Sequence, residues 1–560
     1  MVPKDPPSAE LQAIINLFSQ GLLQQALTGV GQMLKRFPNS FSLYNIAGAS
    51  NTGLMQFDAA INSFEQALKI KPDSADVHNN MGIALNNKGD LEAALDCYNN
   101  ALKLKPNDAD VYNNIGNALK DNGDLDAAVG SFKKAISINP NYAKAYNNMG
   151  AALKDKGDLE AAVNNFRRAI TLNPNLAEAY SNLGSIMSDL GRSLEAEVNY
   201  RQAIALKPDY AEAYGNMGAA QQELGRFVAA EASYRKAIAL KPDYPEAYNN
   251  IGNLLRELGR YEAAEASYRC ALTIKLGYVE ATYNLGVLLY ESKQFKKAAE
   301  QFTLIKSIKS KYYLLRCFYL LDQQSSFYDQ LDYLINRGEI NAVIGSMTSR
   351  SEIKYGINKP NPFCYDPLKY VLKTDLTERC DFKTIFVQGA TGILDDDKVQ
   401  HKCQTLLTNG IQTGGNIFAQ GSLVTDEIQN IIHTELEKYR VHFKDSTEGL
   451  ITNWPTDYNV YGWLVSMKSG GELAAHMHDT GWITGSIYIN VPPKSMRDSG
   501  NLVVCIDHEK DESDREGNRK SIDVVTGNLC LFPASLLHYT VPFESEEDRI
   551  VLAFDVIPNN

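Results

Sequence analysis

"AEAYGNMGAAQQELGRFVAAEASYRKAIALKPD", residues 211–243, decides how half of this chain folds, because it recurs. A shift of 34 residues brings Pro38, Pro72, Pro106, Pro140, Pro174, Pro208 and Pro242 into one column. The same step aligns Gly82, Gly116, Gly150, Gly184, Gly218, Gly252 and Gly286, and it aligns Ala60, Ala94, Ala128, Ala162, Ala196, Ala230, Ala264 and Ala298. Each unit holds two stretches with apolar residues at helical spacing. They are split by a turn such as "LGRF" or "KGDL" and closed by a proline that cannot extend the helix before it. The period predicts about nine helical hairpins over residues 7–310, with Ala26 already in phase and Leu276 replacing the proline as the pattern fades. Small residues at fixed places let paired helices approach closely, so that each hairpin stacks on the next and buries a continuous core.

These columns resemble the tetratricopeptide repeat. The resemblance implies an all-α superhelix with a long concave face for extended partners. Asn80, Asn114, Asn148, Asn182, Asn216, Asn250 and Asn284 also recur, each two residues before the repeat glycine or its equivalent. An amide side chain both donates and accepts, so a row of them can pair with successive peptide units whatever their side chains are. The row is similar to the asparagine ladder of O-linked N-acetylglucosamine transferase, which implies a protein or peptide held by its backbone on the concave face. The alternative is bonding within the repeat; against it, asparagine has poor helix propensity and gains nothing as filler. The in-phase Tyr44, Tyr112, Tyr146, Tyr180, Tyr214 and Tyr248 read as packing residues.

Composition narrows the function. The chain has 560 residues, with 55 Lys plus Arg against 67 Asp plus Glu and a formal charge of -12. No basic stripe is present to neutralise a phosphate backbone, so nucleic acid is not an expected partner. The start lacks the basic-then-apolar form of a leader, and no apolar run approaches the ~20 residues of a membrane helix. Eight scattered cysteines fit neither a disulfide framework nor a CxxC zinc site. The expectation is a cytoplasmic protein with reduced thiols and no membrane span.

Residues 311–375 read as a helical cap and a proline-containing linker, "GINKPNPFCYDPL" breaking helical continuity with three prolines. A helix follows over "TDEIQNIIHTELEKYRVHFKDS", with Thr425 or Asp426 as its N-cap and His433 and His442 as surface or packing residues. "VQGATGILDDD" has neither the lysine of a phosphate loop nor the spacing of a calcium loop. After Trp454 the period becomes strand-like. "VYGWLVSMK", "WITGSIYINV", "NLVVCI", "SIDVV", "GNLCLFP", "HYTVPF" and "RIVLAFDVI" are candidate strands of a sandwich or barrel within a domain placed at 376–560. The mixed charges of "DHEKDESDREGNRK" predict a solvated loop.

On those strands stand His476 and His478 in "HMHDTGWITGSIYINV", His538 after "GNLCLFPASLL", and Arg549 in "DRIVLAF". The combination resembles the 2-oxoglutarate- and Fe(II)-dependent oxygenases of the double-stranded β-helix (jelly-roll or cupin-like) fold. The resemblance implies Fe(II) held by His476, His478 and His538, 2-oxoglutarate as cosubstrate with its far carboxylate on Arg549, and a contact from Tyr488. Side chains at i and i+2 of a strand share a face, which favours His478 over Asp479 as the third ligand. Guanidinium suits a carboxylate bidentately. Most relatives carry HxD where this chain has HxH, and many carry a hydroxyl residue where this chain has Val551. Trp482 is the tryptophan nearest the histidines and a candidate pocket wall. The implied activity is a dioxygenase that uses dioxygen and 2-oxoglutarate to hydroxylate a polypeptide captured by the repeats. The alternative is a non-catalytic scaffold whose β-helix domain only binds a metal or ligand.

Overall fold

The computed structural model describes residues 5–394, 401–402, 406–507 and 517–559 and divides into two compact units, Met1–Asn250 and Ile251–Asn560. In the first, helices run in pairs from Ser8–Ser19 with Leu23–Leu34 to Ala211–Glu223 with Phe227–Leu240. The turn of each hairpin is specified locally. Gly89, Gly123 and Gly157 take positive φ after the first helix, a conformation that costs glycine nothing. Asp90, Asp124 and Asp158 then cap the second helix by accepting from the backbone N–H of Ala93, Ala127 and Ala161 at 3.1–3.3 Å.

The repeat glycine and an aromatic sixteen residues later form the packing unit. A Cβ on Gly116 would stand 2.5 Å from the Phe132 ring, and one on Gly82 would stand 2.5 Å from Tyr98. Phe64, Tyr98, Phe132, Phe166, Tyr200 and Tyr234 are accordingly buried, as are the in-phase alanines. The tyrosines of the other column pack at the margin of the core, Tyr44 and Tyr112 lying half-buried against it. Tyr112 and Tyr146 are half-buried and carry Lys134 and Arg168 over their rings, because their helix face looks out of the hairpin rather than into it.

The second unit continues with Tyr261–Ile274 and the pair Val279–Glu291 and Phe295–Thr303. A further pair, Ile308–Leu320 and Gln324–Asn336, and a helix Ala342–Tyr355 follow. The β part contains β1 (Leu372–Asp375), β2 (His401–Lys402), β3 (Leu407–Thr413), β4 (Tyr458–His476), β5 (Ile483–Asn490), β6 (Leu502–Cys505), β7 (Arg519–Ile522), β8 (Asn528–Pro533), β9 (Leu537–Thr540) and β10 (Arg549–Pro558). All pairings are antiparallel, in the order β1-β8-β5-β10-β4-β9-β6-β7, with β3 bridging β4 and β2. The result is an antiparallel half-barrel that follows the helical repeats in the sequence.

All seven strand-like stretches carry strand. The short β1, β2 and β3 lie outside them, since two to seven residues without clean alternation leave little period to read. Ala342, Phe363, Cys364 and Tyr370 share one core with Leu464, Ile487 and Leu552, so the segment before β1 is built into the β part. The helix after β3 spans Leu423–His442 and is capped by Ser422, not by Thr425 or Asp426; Thr425 closes the capping box from inside. Residues 508–516 of the charged loop, Asp395, Asp396, Asp397 and Cys403 lie outside the described residues. The other seven cysteines are free thiols, only Cys270 being exposed. Among the described residues no helix is long and apolar enough to cross a membrane.

Candidate metal centre

Strands β4 and β9 bring three histidines together. His476, the last residue of β4, lies directly across from His538 in the ladder. His478 is two residues past the strand end, where the chain is still aimed at the same point. One ring nitrogen from each of the three fits within 4.8 Å of the others, and the ring centroids are 4.3–5.0 Å apart. The tautomers are fixed from behind. His476 Nδ1–H donates to the carbonyl of Ala474 at 2.8 Å, and His478 Nδ1–H donates to Asp555 Oδ1 at 2.6 Å. Each Nε2 is thereby a lone-pair donor, the form a metal requires. Burial, then the neighbouring imidazoles, holds His538 neutral well below the usual histidine range. The same two causes lower His476 to about 4. A converging set of three imidazoles suits Fe(II), and imidazole equally accepts other first-row dications.

The two residues between and after these ligands face the other way. Met477 packs against the helical core formed by Leu315, Tyr319, Phe327 and Leu331. Asp479 is held by both terminal nitrogens of Arg316, from the helix Ile308–Leu320, with Nη1 at 2.7 Å from Oδ2. Asp479 is thus committed to an ion pair outside the histidine cluster, in keeping with the preference for His478.

The histidines line one cavity with Arg549, Tyr488, Thr484, Ser486, Thr540, Trp463 and Val551. Arg549 is 1% exposed. It donates Nη1–H to the carbonyl of Gly500 at 2.5 Å, its guanidinium lies 5.1 Å from the centre of the Tyr488 ring, and its Nε has no partner. Burial is the first cause that lowers its pKa, and no carboxylate pairs with it among the described residues. A buried guanidinium with spare donors has the chemistry to accept a carboxylate. Val551 brings no hydroxyl to this lining; Thr540 and Ser486 do. Trp482 does not wall the cavity. It is a core residue, edge-on to Phe363 and bonded through Nε1 to the carbonyl of Leu450. Trp463 lines the cavity instead, its ring 5.4 Å from that of His478.

In the first unit three of the candidate asparagines form amide pairs with asparagines of the preceding repeat. Asn114 donates to Asn79, Asn148 to Asn113 and Asn182 to Asn147, each through Nδ2 at 3.0 Å and across 35 residues. The bonds run between repeats rather than within one. Asn114, Asn147, Asn148 and Asn182 line a groove that also takes in Asn117, Lys120, Glu178 and Tyr210. Asn80, Asn216 and Asn250 are half-buried on equivalent helices, as is Asn284 in the second unit. The residue 35 places before Asn216 is Ser181 and before Asn250 is Gly215, so the amide pairing has no counterpart there.

Residues 461–555 match the family described as "Putative 2OG-Fe(II) oxygenase", and residues 47–282 match "Cilia and flagella-associated protein 70 C-terminal domain". The chain is a tetratricopeptide-type repeat protein with a 2OG-Fe(II) oxygenase-family domain at its carboxyl side. Solved structures similar to the repeats include one titled "Crystal structure of MamA", 30% identical over 29% of this chain and 95% of that one, with a TM-score of 0.27. Another is titled "Functional Characterization of Pseudomonas Aeruginosa pilF", 19% identical over 34% of this chain and 90% of that one, with a TM-score of 0.32. No curated protein matches the chain. Two residues of the oxygenase-family domain escaped the sequence reading, Asp555 and Thr484. The one signal was a carboxylate inside the otherwise apolar "IVLAFDVIP".

Proposed function

We propose that this protein is a 2-oxoglutarate- and Fe(II)-dependent dioxygenase acting on a polypeptide held by its repeats. The observation that carries the reading is the pairing, in one cavity, of three converging imidazoles with a buried arginine that meets no carboxylate among the described residues. His476, His478 and His538 would hold the metal. Arg549 would take the far carboxylate of the cosubstrate, with Tyr488 fixing the guanidinium from its ring face. Bound iron would supply the activation of dioxygen that no side chain can provide. The chain's own part is to leave one side of the metal open, orient the cosubstrate and keep the site dry.

The polypeptide class is supported by the amide pairs between repeats, Asn79 with Asn114, Asn113 with Asn148 and Asn147 with Asn182. Each amide has two N–H groups and a two-lone-pair oxygen, and one bond to the next repeat leaves capacity for a peptide unit. Such a surface reads backbone, which every polypeptide has. The test is metal content and succinate release from 2-oxoglutarate by iron-loaded full-length protein. The expected result is one metal per chain and succinate formation, both abolished in His538→Ala. Wild-type protein that takes up metal but neither binds 2-oxoglutarate nor consumes dioxygen would leave only the scaffold reading standing.

A further inference from the structure

Imidazole ligands bring no negative charge to a dication, whereas an HxD sequence would bring one. The structure holds a carboxylate one hydrogen bond away. Asp555 is 7% exposed in the middle of β10, and its Oδ1 accepts from His478 Nδ1 at 2.6 Å and from Thr484 Oγ1 at 2.9 Å. Its position is built from several sides. Thr484 is its register partner on β5. Gly481 leaves it room, since a Cβ there would come within 3.3 Å of Oδ1 and 3.1 Å of Ala534. No lysine or arginine pairs with Asp555 among the described residues; its one ion-pair partner is His478.

A buried carboxylate with no lysine or arginine beside it is costly. The cost is offset if a positive charge sits on the far nitrogen of that imidazole, where the three rings converge. We propose that Asp555 is the positioning residue of the metal site, fixing the ring of His478 with Nε2 inward and supplying through that ring the negative charge that the ligands themselves lack. Thr484 holds the carboxylate in line. The inference rests on the metal-binding part of the function proposed above and is independent of whether the site turns over 2-oxoglutarate.

Cobalt(II) is the probe, because its visible absorption bands report on ligand geometry as well as binding. Full-length wild type is titrated beside Asp555→Asn, which keeps an acceptor for His478 but loses the charge. A second variant, Thr484→Val, keeps the charge and loses the hydroxyl. Outer partners of ligating histidines are typically worth about 10- to 100-fold in metal affinity. Asp555→Asn is expected to weaken cobalt binding by about that much and to shift the bands of the bound ion, with little change in the melting of the metal-free protein. Thr484→Val is expected to lose roughly a few-fold on the same scale. Cobalt affinity within twofold of wild type in Asp555→Asn overturns the proposal. If that variant does not fold, unchanged affinity and bands in Thr484→Val overturn it. A wild type that binds no cobalt at all removes the metal reading and this inference together, which separates the two failures.

Discussion

The repeat array and the histidine site are two candidate binding surfaces made in opposite ways. The array solves one packing problem again and again, so its groove is a row of near-identical amides in which no single residue is unique. The site at the end of β4 uses each residue once: His476, His478 and His538 converge, Arg549 is the cation lining the cavity, and Asp555 is the carboxylate that backs a ring. The difference teaches where sensitivity to substitution lies. A singular site fails at one position, and a repeated surface loses affinity in small steps.

The largest effect expected is at Arg549. Arg549→Ala removes the one donor group placed for a far carboxylate, and truncating one partner of a buried charge pair costs about 2–5 kcal/mol. Calorimetric titration with 2-oxoglutarate should show that loss, while metal content stays at the wild-type level. Equal losses of metal and cosubstrate would break the division of the cavity into a metal end and an anion end.

Next in size is a pair of substitutions within adjacent helices of the array, which should differ in sign. A methyl on Gly116 would meet the Phe132 ring at 2.5 Å, so Gly116→Ala overpacks the hairpin and should destabilise it by about 1–3 kcal/mol. Gly130 lies inside the helix Leu125–Ile138 with nothing within 4 Å of the methyl's position, and Gly130→Ala should stabilise by roughly 0.5–1 kcal/mol. Urea melts of the two variants check both. The same sign for both would mean that the glycine column is a matter of helix propensity and not of close approach.

What could be read from the sequence follows the same division. A feature written nine times is legible once, so the hairpins, the alanine column and the asparagine row stood out from spacing alone. The buried aromatics from Phe64 to Tyr234 share that period and were there to be read as well. In the site, the ligands and Arg549 were legible through a motif, because histidine and arginine are scarce among strand residues. Asp555 and Arg316 were not. Asp555 meets His478 across 77 residues, through the register of β10 against β4 and β5, and Arg316 meets Asp479 across 163. Contacts of that range are set by topology, which no local period encodes. Trp482 shows the limit from the other side, since it lies close in sequence to His478 and yet packs in the core, away from the cavity.

The smallest single effects are expected in the ladder, and their pattern matters more than their size. A net hydrogen bond is worth about 0.5–1.5 kcal/mol, so Asn148→Ala should weaken a bound extended peptide by only a few-fold. The amide also holds its neighbour: Asn148 donates to Asn113, and Asn147 receives from Asn182. Replacing Asn114, Asn148 and Asn182 together removes all three inter-repeat bonds as well as three rungs, so the triple variant should lose more than the three single losses added together. The measurement is the affinity of the full chain for a labelled extended peptide selected on the wild type. Simple additivity would mean that each amide acts alone and that the bonds between repeats do not preorganise the groove. Unchanged affinity in the triple variant would take the peptide off this face and leave the array as a spacer, and the contrast between repeated and singular surfaces would then lose one of its two members.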